Sequence, residues 1–170
     1  MKIITLFLTT LFLLSGCTNR DKMPLNKPVL TEFGINSLTS KTQFTLNAIT
    51  PNLLGYDITN FTALEGGESK SIMRVSYHGR EVMIITPTKP KDDSQQYIKS
   101  ISITSDYVEN PFNIKIGDAY NKEDFPTCEE LKESLICKQE KFKNIVLVFK
   151  KNSSLWSLKE IVWDDNANCF

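Results

Sequence analysis

A single histidine, His78, stands among 170 residues. No G-x-S-x-G elbow is present, and no Cys–His context of the kind that activates a nucleophile. The C-x8-C spacing of Cys128 and Cys137 is not that of a zinc knuckle, and His78 falls in a predicted turn. Net charge is lacking too. Twenty basic and twenty acidic residues cancel, which removes the general electrostatic footprint of a nucleic-acid binder. Gly66–Gly67 has neither the strand-to-helix context nor the lysine of a phosphate loop and reads as a turn. The acidic pairs Glu65/Glu68, Asp92/Asp93 and Asp106/Glu109 read as solvated loop and strand-end groups. A glycosidase would need two carboxyls about 5–9.5 Å apart across a cleft. The expectation is therefore no enzyme, no catalytic residue, no metal, no cofactor and no nucleic-acid partner.

What remains is ordinary globular composition, 41% hydrophobic and 24% charged, with length for one domain. A chain of this size can bury about 68–70% of its extended surface, so a real core is feasible.

The N-terminus reads as an export signal. Lys2 precedes an apolar run from Ile3 to Leu14, shorter than the roughly 20 apolar residues of a comfortable membrane span. Leu14–Ser15–Gly16–Cys17 resembles the lipobox of bacterial lipoproteins. The thiol of Cys17 would form the thioether to diacylglycerol, and cleavage before it would free an amine for a further, palmitate-type acyl chain. Buried acyl chains contribute about 0.8 kcal/mol per methylene, enough for stable anchoring when two signals combine. Thr18, rather than Asp, follows the cysteine. By resemblance to Gram-negative sorting rules this favours the outer membrane, with the protein lipid-anchored and facing the periplasm. The expected organisation is a signal peptide over 1–16, a lipidated tether over 17–31 carrying Pro24 and Pro28, and a single β-rich domain over 32–170.

Within the domain, Thr45 is placed to cap a short helix that Pro51 limits. A strand follows through Ile58 and Phe61. The segment 72–86 reads as a hairpin: Met73, Val75 and Tyr77 alternate with Arg74 and Ser76, and His78–Gly79 occupies the tight turn. Further strands are expected over 97–104, over the alternating Phe112, Ile114 and Ile116, over the apolar run 145–149, and over 155–163. The run 145–149 reads as a central strand. Residues 129–133 read as a helical turn. Trp156 and Trp163 have opposite parity, which would turn one of them away from the core. The predicted fold is mainly β: an antiparallel two-layer β-sandwich-like domain of six or seven strands with one or two short helices.

An exported protein can hold disulfides. Cys128 and Cys137 are the expected pair and Cys169 the free thiol. Residues 118–133 carry six acidic and two basic groups, whereas 138–151 carry five basic and one acidic. The basic run, with Lys141, Lys143 and Lys150, is a candidate partner surface.

The segments FGINSLTSKTQFTLNAI (33–49), LLGYDI (53–58), VSYHGREVMIITPT (75–88), NIKIGDAY (113–120), the Cys128/Cys137 pair and SLKEIVW (157–163) resemble the RpoE-regulated lipoprotein family (YfeY-like). The resemblance implies a mainly β, sandwich-like fold, a link to the envelope-stress response, and no enzymatic residues to carry over. Two departures are visible: a compact segment between the cysteines and the final strand, and Cys169 in an extra tail. The functional expectation is a non-catalytic outer-membrane lipoprotein that supports or binds another envelope component. The alternative is a small-molecule or lipid-binding module using a cavity between the sheets.

Overall fold

Alternation of apolar and polar residues sets the architecture of the computed structural model, which describes residues 26–89, 95–165 and 167. The signal segment, Cys17, Asp92/Asp93 and Cys169 lie outside the described residues. Ten strands form among the described residues: β1 (Leu30–Thr31), β2 (Gly34–Ile35), β3 (Asp57–Glu65), β4 (Glu68–Tyr77), β5 (Arg80–Pro87), β6 (Ile98–Ile103), β7 (Cys128–Leu131), β8 (Ser134–Lys138), β9 (Ile145–Asn152) and β10 (Leu155–Asp164). Strands β3 to β10 make one antiparallel sheet in the order β3-β4-β5-β6-β10-β9-β8-β7, and β1 and β2 pair separately. The fold is mainly β, as the alternation predicts, with eight strands in the principal sheet.

One face of this sheet carries the core. Met73, Val75, Met83, Ile85, Ile101, Ile103, Ile145, Leu147, Phe149, Leu158, Ile161 and Trp163 are all buried there. A second, mostly irregular layer covers them. Its first half is the segment from Leu30 to Tyr56, with Leu30, Ile35, Leu38, Phe44, Ile49 and Leu53 buried. Its second half is the connection between β6 and β7, which contributes Val108 and Phe125 and packs Tyr107, Phe112, Ile114 and Tyr120 against the core. The halves are joined where Leu30 N donates to Glu109 O at 2.8 Å and Glu109 N to Pro28 O at 2.9 Å. Trp163 Nε1 donates to Glu32 O at 3.0 Å, tying β10 to the cover. Folded structure thus begins before residue 32. Leu30 gains burial by pairing with Ile35 across a tight turn, a contact with no periodic signal.

The Thr45 cap forms as expected: its side chain accepts from Ala48 N ahead of α1 (Leu46–Ile49), and a 3-10 turn carrying Pro51 ends the helical segment. His78 and Gly79 both have positive φ, 49° and 74°, between the paired Tyr77 and Arg80. This is the two-residue turn whose twist suits a hairpin.

Three expectations change. The alternating Phe112, Ile114 and Ile116 form no strand, because side chains capture the backbone. Asn110 Oδ1 accepts from Phe112 N and Ile114 N, Asn110 Nδ2 donates to Ile114 O at 2.8 Å, and Asp106 Oδ1 accepts from Ile116 N at 2.8 Å. Such local bonds compete with a strand ladder. Residues 129–133 belong to the β7–β8 hairpin rather than a helical turn, with Leu131 opposite Ser134 and Lys132 at φ 55° in the turn. Finally, both tryptophans share the core side. The register shifts between Leu158 and Glu160, and the extra residue puts Trp156, Leu158, Ile161 and Trp163 opposite Lys151, Phe149, Leu147 and Ile145. Parity counted along the chain cannot see a bulge. Strand β9 is interior but third from an edge, with β10 between it and β6.

Candidate functional site

The outer face of β7–β10 is where the apolar pattern exceeds what the core requires. In β9, Ile145, Leu147 and Phe149 point to the core, which leaves Val146 and Val148 on the other side. The register aligns these with Ile136 on β8 and Val162 on β10: Ile136 pairs Val148, and Val162 pairs Val146. Leu131 on β7 is about half exposed at 48% and extends the surface to the sheet edge. These five apolar residues line a groove of about 390 Å³. Thr127, Cys128 and Glu129 wall the edge-strand side, and Lys138 and Asp164 stand at one end.

Polar groups converge at that end. Lys138 Nζ donates to Ala167 O at 2.6 Å. Asp164 is the one charged residue buried among the described residues, and its backbone N–H donates to Asn144 O at 2.9 Å. The groove therefore has an apolar floor and one ordered polar end, the composition typical of ligand clefts.

Cys128 and Cys137 form a disulfide directly across β7 and β8, with Cα atoms 4.1 Å apart. Cys137 is fully buried and belongs to the core cluster, and Cys128 packs against it. The bond does more than close a loop. It holds the four-residue edge strand β7, one wall of the groove, onto the sheet.

The structure separates the three lysines of the proposed partner surface. Lys141 and Lys143 are exposed in the connection before β9, and Lys141 Nζ lies 5.3 Å from the Phe142 ring centroid. Lys150 is near the far end of β9, opposite Ser134 and Ser157. Lys150 and the pair Lys141/Lys143 thus lie toward opposite ends of β9 instead of forming a single patch, and none of the three lines the groove. His78 is exposed, packs edge-on against Tyr77 with ring centroids 4.3 Å apart, and sits outside the groove. Asp106 and Glu109 serve the cover layer through the bonds given above.

Beneath the opposite half of the sheet, Tyr56, Tyr77 and Tyr107 cluster with centroids 5.1 to 5.6 Å apart. Burial, then the neighbouring Tyr77 and Tyr107, pushes the Tyr56 hydroxyl up to about 12. Its Oη donates to Tyr107 O at 3.4 Å. This is packing under the sheet, remote from the groove.

The groove residues Leu131, Ile136, Val146, Val148 and Val162 were not singled out by the sequence reading. The available signal was the run 145–149, apolar at both parities. Such a run states that both faces of a strand are apolar, and only the structure tells which of them faces the main core.

No family model matches the chain, and no curated protein matches it. Among solved structures, the chain is similar to the crystal structure of the uncharacterized protein YfeY from Escherichia coli, with a TM-score of 0.61 and 20% identity over 82% of this chain and 99% of that one. At that identity the likeness is one of fold: this chain has a YfeY-like fold.

Proposed function

We propose that this chain is a non-catalytic outer-membrane lipoprotein of the envelope-stress response, tethered through Cys17 and facing the periplasm, which binds another envelope component through the groove on β7–β10. One observation carries the reading. Five apolar side chains from four strands line an open groove of about 390 Å³ at the disulfide-held end of the sheet. An apolar cleft with a few polar groups at one end is the usual form of a binding site. The lipobox-like Leu14–Cys17 supplies the tether in this reading, and Lys138 supplies a positive charge at one end of the groove.

The volume also favours a second reading, in which the occupant is a lipid or small apolar molecule. Its site is then the outer groove and not a space between layers.

Crosslinking in intact membranes tests the first reading. Val148→Lys places a charge on the groove floor at a half-buried position. We expect it to abolish the partner crosslink while the melting temperature stays within a few degrees. An unchanged crosslink would remove the groove from the function. For the tether, Cys17→Ser is expected to abolish lipid labelling and block signal processing. Unaltered mass and membrane fractionation would overturn it. The second reading is decided by native mass spectrometry of the detergent-extracted protein, where an apolar adduct lost in Val148→Lys is the supporting result.

A further inference from the structure

We propose that the end of the sheet where β4 parts from β5 is a binding site for a phosphorylated, hydroxylated ligand, with the phosphate held by Lys89 and Lys99 and the hydroxyls by Thr88, Gln96 and Ser71.

The cleft has a local cause. Strand β4 begins at Glu68, but its register with β5 begins only at Met73↔Ile85. Pro87 stands where β5 would have to continue that ladder beside Ser71, and proline has no N–H to donate. The strands part there and leave a cleft of about 670 Å³ between β4 and the ends of β5 and β6. The register of β5 with β6 shifts at the same place. Thr86 pairs Ser100 and Pro87 pairs Ile98, so Lys99 has no residue opposite it. A bulge of this kind re-aims a side chain, and Lys99 lines the cleft.

The described residues that line the cleft include Lys70, Lys89 and Lys99 and no carboxylate. Lys89 and Lys99 are exposed and make no ion pair with any described residue. Arg74, farther along β4, is by contrast paired with Glu81 at 3.0 Å. A cleft lined by one sign of charge focuses its field and concentrates ligands of the opposite sign. Lysine holds phosphate as a point charge, which tolerates the flexible geometry of exposed side chains.

The other lining groups are neutral and form hydrogen bonds. Thr88 is fixed in place: its N donates to Tyr97 O at 2.8 Å, its Oγ1 accepts from Tyr97 N at 3.2 Å, and its O accepts from Gln96 Nε2 at 3.0 Å. The Thr88 hydroxyl proton is left for an outside acceptor, as are the second N–H and the carbonyl oxygen of the Gln96 amide. Ser71 Oγ donates to Asn60 Oδ1 at 3.0 Å and keeps its lone pairs. Donors and acceptors set beside the lysines suit a phosphate carried on a hydroxylated body, either a free sugar phosphate or a glycerol-type lipid headgroup. A bare phosphate would leave the acceptors idle. This cleft shares no lining residue with the apolar groove, so the two sites stand or fall separately.

The test follows amide chemical shifts of the full chain, Asp92 and Asp93 included, during titration with glucose 1-phosphate and with glucose as the uncharged control. Saturable shifts are expected at Lys70, Thr88 and Lys99 with the ester, and much weaker binding of glucose. Exposed charge pairs contribute up to about fivefold each in affinity, so Lys89→Gln and Lys99→Gln should each weaken the ester by about that factor and the double variant by about 20-fold. Melting temperatures should not move, and Val148→Lys in the apolar groove should leave the ester affinity unchanged. Vesicles of phosphatidylglycerol and of phosphatidylcholine distinguish the sources. Preference for the anionic vesicles that is lost in the double variant assigns a headgroup. Ester binding with no such preference assigns a free sugar phosphate. Absence of saturable shifts, equal affinity for ester and glucose, or unchanged affinity in the double variant would each overturn the proposal.

Discussion

The outer face of the sheet changes character between its two halves. On β3–β6 and at Glu160 of β10, polar groups satisfy one another around the outward apolar residues Phe61, Ile72 and Ile84. Arg74 Nε pairs with Glu81 Oε2 at 3.0 Å, and the Arg74 guanidinium lies 4.6 Å from the Phe61 ring centroid. Ser102 Oγ donates to Glu160, and Thr104 Oγ1 donates to Glu81 at 3.5 Å. On β7–β10 the equivalent positions are Ile136, Val146, Val148 and Val162. Inner-face residues of both halves join one core cluster. Core formation therefore does not explain the difference. A sheet that needed only solubility would carry the same mixture of Ser, Thr and charged residues across its whole width. On the proposed reading the apolar half receives an occupant, and the adjacent disulfide holds its edge strand in place.

The largest way to break this comparison is to release the edge. In Cys128→Ser/Cys137→Ser the nine-residue separation is no longer closed, which in the chain-entropy model costs about 2–3 kcal/mol. The loss should be felt by β7 and β8 first. Hydrogen exchange is the measurement: protection should fall at Glu129–Ile136 and stay near wild type in β4 and β5. Uniform loss over all eight strands would mean that the two halves unfold as one unit, and the comparison would be of surfaces alone.

Alkaline titration attacks the other half. The Tyr56 hydroxyl is raised from its usual 10 to about 12 by burial and by Tyr77 and Tyr107. The folded state thus holds this proton more tightly than the unfolded chain. Between pH 10 and 12 the unfolded state binds fewer protons, so stability falls as pH rises through that window and is fully present below pH 10. Tyr56→Phe should flatten the fall. A melting temperature with the same alkaline slope in wild type and variant would show that Tyr56 does not carry it. The Cys128/Cys137 variant should keep the slope, because the tyrosines lie under the β4–β5 half.

How much of this was legible depends on the kind of signal. Hairpins with two-residue turns, such as Tyr77–Arg80 around His78–Gly79, combine alternation with a residue pair suited to positive φ, and both signals are local. The cysteine pair was legible for the same reason, since the two lie only nine positions apart in sequence and the expectation of export made a disulfide the natural reading. The segment 112–116 alternated convincingly and still formed no strand, because Asn110 and Asp106 offered its N–H groups nearer acceptors. Strand order was not legible: β10 inserts between β6 and β9, a placement fixed by contacts more than 50 residues apart in sequence. The groove was half legible. Val146 and Val148 advertised an apolar second face, but which face the cover layer takes is a property of the whole chain path.

A sharper probe of the groove half is a swap that changes polarity and not shape. Val148→Thr and Val162→Thr add a hydroxyl at half-buried outward positions that β-branched residues already fit. A hydroxyl partly open to water avoids most of the cost of an unpaired buried polar group. Stability should change by about 1 kcal/mol or less for each. Binding of an apolar probe or partner should weaken more than stability does, and the double variant should exceed either single one. Equal losses in stability and binding would mean that these valines serve the fold and not an occupant.

The smallest effect is expected where the surface is already satisfied. Arg74 and Glu81 make an ion pair at 3.0 Å, but their side chains are 50% and 34% exposed. Solvent screens such a pair, and holding two long side chains in one geometry costs entropy, so its coupling should be about 0–1 kcal/mol. Arg74 also lies over Phe61 on the edge strand β3, so Arg74→Ala should cost slightly more than Glu81→Ala. A double-mutant cycle of Arg74→Ala and Glu81→Ala, measured by thermal melts at low and at high salt, separates these contributions. Most of the coupling should vanish at high salt. Apolar-probe binding at the groove should be the same in all four proteins, because Val162 and its neighbours do not depend on this pair. A coupling well above 1 kcal/mol that survives salt would make the polar half a structural clasp in its own right. The contrast would then no longer be between a solvated surface and a binding one, but between two devices that each hold one end of the sheet.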